Sequence, residues 1–378
     1  MDDRLIEVPR GLANVAVAET SIGDVRAREG FYRYRDYSAI ELAETVTVED
    51  VWHLLVRGAL PDAAERAAFA AEVAAARARP EVDEVVRVVL GAGPVDPVAG
   101  LKAAWPLYAA ARGLRPVYDL SEAARSADAV ELAAITPVIL DALHRRGRGL
   151  APLPELAGRG IAANHLHQLT GRVPDARAER ALTAYLIAVM DHGFNASTFT
   201  ARVIASTGAD VASCLAGGLG ALTGPLHGGA PSRALDELDE VGTPDVVEPW
   251  VRAQVAGGRR IMGFGHAVYR TADPRSELMK RYAREFGGPR VELAVRFEET
   301  TERLLAELKP GRELHANVEF YAAVVMEACG IPRDMLTPTF AIARTIGWTA
   351  HVLEQARDPK IIRPSARFTG APEVTPLP

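Results

Sequence analysis

Apolar positions recur three and four residues apart over long stretches of this chain, while strict apolar–polar alternation in β-branched residues is scarce. That periodicity predicts a mainly α fold, with any strands short. Helices are expected over Asp62 to Arg79, Ser121 to Arg146, Asp175 to Met190, Glu292 to Leu308 and Phe320 to Cys329. Several of these open on an Asp or Ser able to cap the first turn. Proline and glycine cluster between them, at 91–97, 147–154, 223–231 and 287–289, and mark the turns. The three prolines within 371–378 predict a surface tail.

At 378 residues the chain suits two domains, or one large domain carrying a smaller one, with a cleft between them. Its 48% hydrophobic and 24% charged residues belong to the globular range. A net charge of -6 argues against a nucleic-acid partner, so anionic ligands must be met by local arginines. No stretch approaches the roughly 20 apolar residues of a membrane span, and the first residues carry no signal-peptide core. The expectation is a cytoplasmic protein with no membrane partner. The two cysteines, Cys214 and Cys329, support neither a disulfide framework nor a thiolate metal site.

Three of the nine histidines stand in glycine-rich surroundings that helix packing does not explain. His227 lies in Gly224-Pro225-Leu226-His227-Gly228-Gly229, where small neighbours permit close approach of a ligand; the setting suits a hydrogen-bond donor to a substrate oxygen. His266 follows Gly263-Phe264-Gly265, and Arg270 and Arg275 stand just beyond it, a grouping able to hold an anion. His192, in Asp191-His192-Gly193-Phe194-Asn195, comes at the end of an apolar helix. Downstream follow Asn317-Val318-Glu319-Phe320 and Ala343-Arg344-Thr345. The pair His165 and His167, two residues apart on a helix, diverge and read as structural or surface residues rather than metal ligands. Gly263-Phe264-Gly265 lacks the third glycine of a dinucleotide fingerprint.

In these blocks, taken in order with Gly11 to Val15, Tyr32-Arg33-Tyr34, Asp191 to Thr200, Gly224 to Ala230, Ile261 to Arg275, Asn317 to Pro332 and Ala343 to Gly370, the chain resembles the citrate synthase family, including its 2-methylcitrate synthases. The resemblance implies a large helical domain (1–228 and 338–378) and a small helical domain (229–337) that closes over the substrates, in a homodimer. It implies no permanently bound cofactor and no metal. Oxaloacetate and acetyl-CoA, or propionyl-CoA, are the implied substrates, and the tricarboxylic acid cycle the implied setting.

Residue by residue, the resemblance makes His227 the donor to the thioester carbonyl and His266 the group acting on the oxaloacetate ketone. His192, Arg275 and Arg344 become oxaloacetate binders, and Arg363 reaches in from the partner subunit. Arg270 becomes a CoA-phosphate contact, with Gly263 and Gly265 shaping the CoA side. Glu319 stands where the family ordinarily has an aspartate as catalytic base, one methylene further out. A family arginine is also missing at Pro94 to Ala99, where Lys102 stands nearby. The chain begins at the family's common core, so the regulation of NADH-inhibited forms is not expected. Besides the acetyl and propionyl readings, Glu319 leaves room for a catalytically weakened paralogue that binds CoA or oxaloacetate, or for an enzyme that makes or cleaves a citryl-CoA-like thioester without efficient hydrolysis.

Overall fold

The computed structural model describes residues 5–224, 227, 231–265, 269, 271–311 and 314–370, with the side chains of 231 and 232 left aside. Near the N-terminus three short strands, β1 (Gly23–Arg26), β2 (Phe31–Tyr34) and β3 (Tyr37–Ser38), form an antiparallel sheet in that order. Side chains alternate across β2, so Tyr32 and Tyr34 are buried together while Phe31 and Arg33 are not.

The rest is helical. In chain order the helices are α1 (Ala39–Thr45), α2 (Val48–Arg57), α3 (Ala63–Arg77), α4 (Glu81–Gly91), α5 (Pro97–Arg112), α6 (Glu122–Gly147), α7 (Ile161–Thr170) and α8 (Ala176–Ala188). There follow α9 (Ala196–Ser206), α10 (Val211–Leu222), α11 (Pro231–Val241), α12 (Val247–Ala256), α13 (Pro274–Phe286), α14 (Pro289–Leu308), α15 (Val318–Ala328) and α16 (Leu336–Gln355). The expected Asp and Ser caps are in place: Asp62 accepts from the amides of Ala64 and Glu65, Ser121 from Ala124, and Asp175 from Ala178.

Two helices organise the core. In α16, 17 of the 20 residues are buried, and α6 is buried along most of its length; helices enclosed on every side belong at the centre of a fold. α16 packs on α6, α9, α10 and α2, and α9 lies against α10. A second group packs among itself, with α15 against α13, α11 and α14, and α12 against α14. It meets the first where α13 and α15 touch α8 and α11 touches α16.

One close approach depends on a missing side chain. Gly347, in the middle of α16, faces the turn after α8, and a Cβ there would stand 2.1 Å from Met190 O. The backbone of residues 189–191 thus lies directly on the central helix. Among the described residues no helix is long and apolar enough to cross a membrane.

Candidate active site

The turn from 187 to 193 is fixed by three side chains from two other elements, β2 and α16. Tyr32 donates from Oη to Ala188 O at 2.9 Å. Tyr34 Oη stands 2.8 Å from Ile187 O and 3.0 Å from Asp191 O, and accepts the Asp191 amide at 3.1 Å. Arg344, on α16, donates from Nε to Val189 O at 3.0 Å. Burial raises the pKa of both tyrosines well above its ordinary value, so they remain phenols. The small sheet is therefore a brace for this turn. On the turn, buried His192 has Nε2 2.9 Å from Tyr269 Oη and its ring edge against Tyr32.

Arg344 is 2% exposed. Its guanidinium lies over the Phe340 ring at 4.8 Å, and Nη1 and Nη2 have no hydrogen-bond partner among the described residues. Burial lowers its pKa, Asp191 offsets part of that, and the nearby charge of Arg275 adds to it. Arg275 is also buried, at the first turn of α13, whose N-cap is Asp273. Asp273 Oδ1 accepts Nε of Arg275 at 3.0 Å and Oδ2 accepts Nη2 at 2.8 Å. Burial opposes the Arg275 charge, and the carboxylate more than restores it, raising the pKa. Two buried guanidiniums within reach of each other's field make a site for an anion carrying more than one charge.

Asp273 serves a second element as well, since Oδ2 accepts the Val318 amide at 3.1 Å. That contact brings the start of α15, and with it Glu319, beside Arg275. Asn317 caps α15 by accepting the Glu319 amide at 3.0 Å. Burial pushes the Glu319 carboxyl up to about 7; the Arg275 charge pulls against that and Asp273 adds to it. A carboxylate poised near neutrality is suited to general-base work.

Gly263 and Gly265 give the neighbouring segment its shape. Both have positive φ, 77° and 85°, and a Cβ on Gly263 would press 2.8 Å from Phe320 Cβ. The segment forms an isolated antiparallel bridge, Phe264 to Ala316. Asn317 N donates to Gly263 O at 2.8 Å, Gly265 N to His315 O at 2.8 Å, and Asn317 Nδ2 to Gly265 O at 3.0 Å.

His227 is partly buried, and burial, with the Arg344 charge, lowers its pKa to about 4. It is a neutral imidazole at neutral pH. Its Nε2 lies 2.9 Å from Ser197 Oγ, and Ser197 Oγ donates to Asn195 Oδ1 at 2.7 Å. That Asn195 oxygen already accepts the amides of Ser197 and Thr198 at 3.1 Å each.

Over nearly its whole length the chain matches the family model described as "Citrate synthase, C-terminal domain", across residues 11–365. The chain belongs to the citrate synthase family. It is 38% identical over 367 residues to "Putative citrate synthase 2" of Mycobacterium tuberculosis, covering 95% of this chain and 92% of that one. It is 35% identical over 370 residues to a 2-methylcitrate synthase of the same species, covering 97% and 92%. Among solved structures, the citrate synthase of Thermotoga maritima superposes with a TM-score of 0.85 at 32% identity, covering 98% of both chains. That of Thermoplasma acidophilum, in ternary complex with carboxymethyl coenzyme A and oxaloacetate, gives 0.89 at 27% identity, again covering 98% of both. The fold is that of citrate synthases, a family of acyltransferases.

Of the residues singled out from sequence, His192, His227, Arg275, Glu319 and Arg344 come together here. His266 and Arg270 lie outside the described residues. Arg363 is exposed on the segment after α16, where Ile362 N donates to Ser206 Oγ at 3.0 Å. His165 is wholly buried, with Nδ1 2.6 Å from Asp141 Oδ1 and Nε2 2.9 Å from Thr339 Oγ1, which agrees with a structural role. Asp273, Tyr269, Ser197 and Asn317 were not singled out. Their signal was position alone: each stands within a few residues of a candidate or at a helix cap.

Proposed function

We propose that this chain condenses acetyl-CoA with oxaloacetate and hydrolyses the resulting thioester to citrate and CoA. The observation that carries the reading is the pairing of two buried guanidiniums, Arg275 and Arg344, with a carboxyl held near neutrality, Glu319, at the edge of the same site. The arginines and His192 bind the dicarboxylate. Glu319 removes a proton from the acyl methyl group. His227 donates a hydrogen bond to the thioester oxygen as the enol forms, a task for which a neutral imidazole is suited.

The enol carbon then bonds to the ketone carbon of oxaloacetate, whose oxygen takes a proton from His266. Water cleaves the citryl thioester, and CoA leaves as the thiol. Arg270, Gly263 and Gly265 belong to the CoA side of this reading. No metal and no resident cofactor enter it. The small domain, 229–337, closes over the substrates against 1–228 and 338–378, and Arg363 completes the site of a partner subunit in a homodimer. The setting is the cytoplasm and the tricarboxylic acid cycle.

Propionyl-CoA as donor, giving 2-methylcitrate, is the second reading, favoured by the 35% identical relative of that name. One methylene in an apolar pocket discriminates by only about 1–3 kcal/mol, so both donors are expected to turn over. A binding-only paralogue fits less well, because it has no use for a carboxyl held near 7. The test is CoA release from each acyl-CoA with oxaloacetate, with the product identified. Turnover by the wild type and its loss in Glu319→Gln, with oxaloacetate still bound, support the reading; binding without turnover by the wild type would sink it. Citryl-CoA that accumulates in a single turnover would instead mark an enzyme without efficient hydrolysis.

A further inference from the structure

Behind the turn that carries His192 lies a second polar chain, enclosed at its centre. Asp191, His351 and Arg202 are 1%, 1% and 2% exposed. His351 Nε2 lies 3.0 Å from Asp191 Oδ1, and its Nδ1 lies 3.3 Å from Arg202 Nη1. The same Nη1 donates to Glu354 Oε2 at 2.6 Å, while Arg202 Nε donates to Gln355 Oε1 at 2.8 Å and Nη2 to Glu19 O at 3.2 Å. Glu354 is held in turn by the Ser21 amide at 2.7 Å. Asp191 Oδ2 accepts the Gly193 amide at 3.2 Å.

The protons follow from chemistry. A guanidinium has no lone pair to offer, so Arg202 is the donor and His351 Nδ1 the acceptor. Nδ1 therefore carries no proton, and Nε2–H donates to Asp191. His351 thus turns a fixed donor, Arg202, into a directed hydrogen bond on the carboxylate next to His192.

We propose that His351 is a positioning residue of the substrate site, acting through Asp191 on His192. This rests on the reading of His192 and Arg344 as oxaloacetate binders. His351 and Arg344 stand seven residues apart on α16, two turns on one face. One rigid helix thus supplies a guanidinium to the dicarboxylate and also fixes the turn that presents His192, so the spacing between the two binding groups is set by α16 itself. Tyr34 holds the Asp191 backbone, and Arg202 is anchored by Gln355, Glu354 and Glu19 as well as by His351.

Two substitutions separate the functions of the two ring nitrogens. His351→Gln places an amide donor near Nε2 and keeps the bond to Asp191. His351→Asn reaches only to Nδ1, keeping an acceptor for Arg202 and losing the donor to Asp191. The expected result is a KM for oxaloacetate little changed in His351→Gln and raised roughly tenfold in His351→Asn, the size of a sub-ångström misplacement of a binding group. The KM for acyl-CoA and kcat are expected to move less. In the ¹⁵N spectrum of the wild type, His351 should show Nδ1 bare and Nε2 protonated.

Equal oxaloacetate KM values in the two variants, or a protonated Nδ1, would overturn the proposal. A wild type that binds no oxaloacetate overturns the functional reading and this inference with it. A wild type that binds it while the variants remain indistinguishable overturns this inference alone.

Discussion

Asp273 grips Arg275 through both carboxylate oxygens, Oδ1 to Nε at 3.0 Å and Oδ2 to Nη2 at 2.8 Å, and both residues are buried. Such a pair contributes little net stability while intact, since desolvation offsets most of the attraction; breaking it from one side leaves a buried charge alone. Asp273→Ala is therefore expected to destabilise the fold by about 3–5 kcal/mol, measured by denaturant unfolding. Asp273→Asn, which keeps the shape, should retain more stability and still weaken oxaloacetate binding, because an amide has one acceptor oxygen and no longer holds Arg275 at both Nε and Nη2.

The Glu319 carboxyl, pushed up to about 7 by burial, sets a pH dependence. The proposed base acts only when ionised, so kcat/KM should rise with pH through about 7 and then level. His227, lowered to about 4, stays neutral across that range and adds no second limb. A profile flat from pH 5.5 to 8.5 would remove Glu319 from the role of base.

The same shift has a stability counterpart of opposite sign. A carboxyl whose folded pKa lies above its ordinary 4.5 favours the folded state in its protonated form, and ionising it destabilises the fold progressively as pH rises from 4.5 to about 7. Glu319→Gln is thus expected to melt above the wild type at pH 8, with the gap closing as pH falls towards 4.5. Differential scanning calorimetry at the two pH values checks it.

Ser197→Ala removes the hydroxyl that holds the His227 ring at Nε2. The expected outcome is a fall in kcat of about tenfold, within the range that acid–base assistance supplies, with oxaloacetate affinity unchanged. Parallel losses in kcat and in oxaloacetate binding would point to a collapse of the turn instead.

Gly347→Ala puts a methyl group 2.1 Å from Met190 O, where backbone must give way. Overpacking of this kind costs about 1–3 kcal/mol. Because the displaced backbone carries His192, the KM for oxaloacetate should rise with the loss of stability.

Much of this was legible in the sequence. The cap residues Asp62, Ser121 and Asp175 begin helices where their pattern predicted, and the scarcity of alternating β-branched runs ends in one small sheet. His192 and His227 beside glycines, and Arg275 and Arg344, come together in one candidate site, and close backbone approach and anion binding both leave local traces. What was not legible is what depends on long-range contact. Nothing local in Tyr32-Arg33-Tyr34 shows that two phenols brace a turn more than 150 residues on. Asp273 reads as an ordinary N-cap until the Val318 amide arrives from the far side of α14. The Glu319 shift, too, is created by enclosure in the folded chain.

The bridge between 263–265 and 315–317 also constrains how such a sequence can drift. The two stretches share three backbone and side-chain bonds, and Gly263 has Phe320 pressed against the place where a side chain would begin. A side chain at 263 would meet the Cβ that every residue but glycine carries at 320, and would sit at a φ of 77° besides. Position 263 is therefore held to glycine whatever stands at 320, and the loop keeps its seat on α15 through any drift of that helix's side chains.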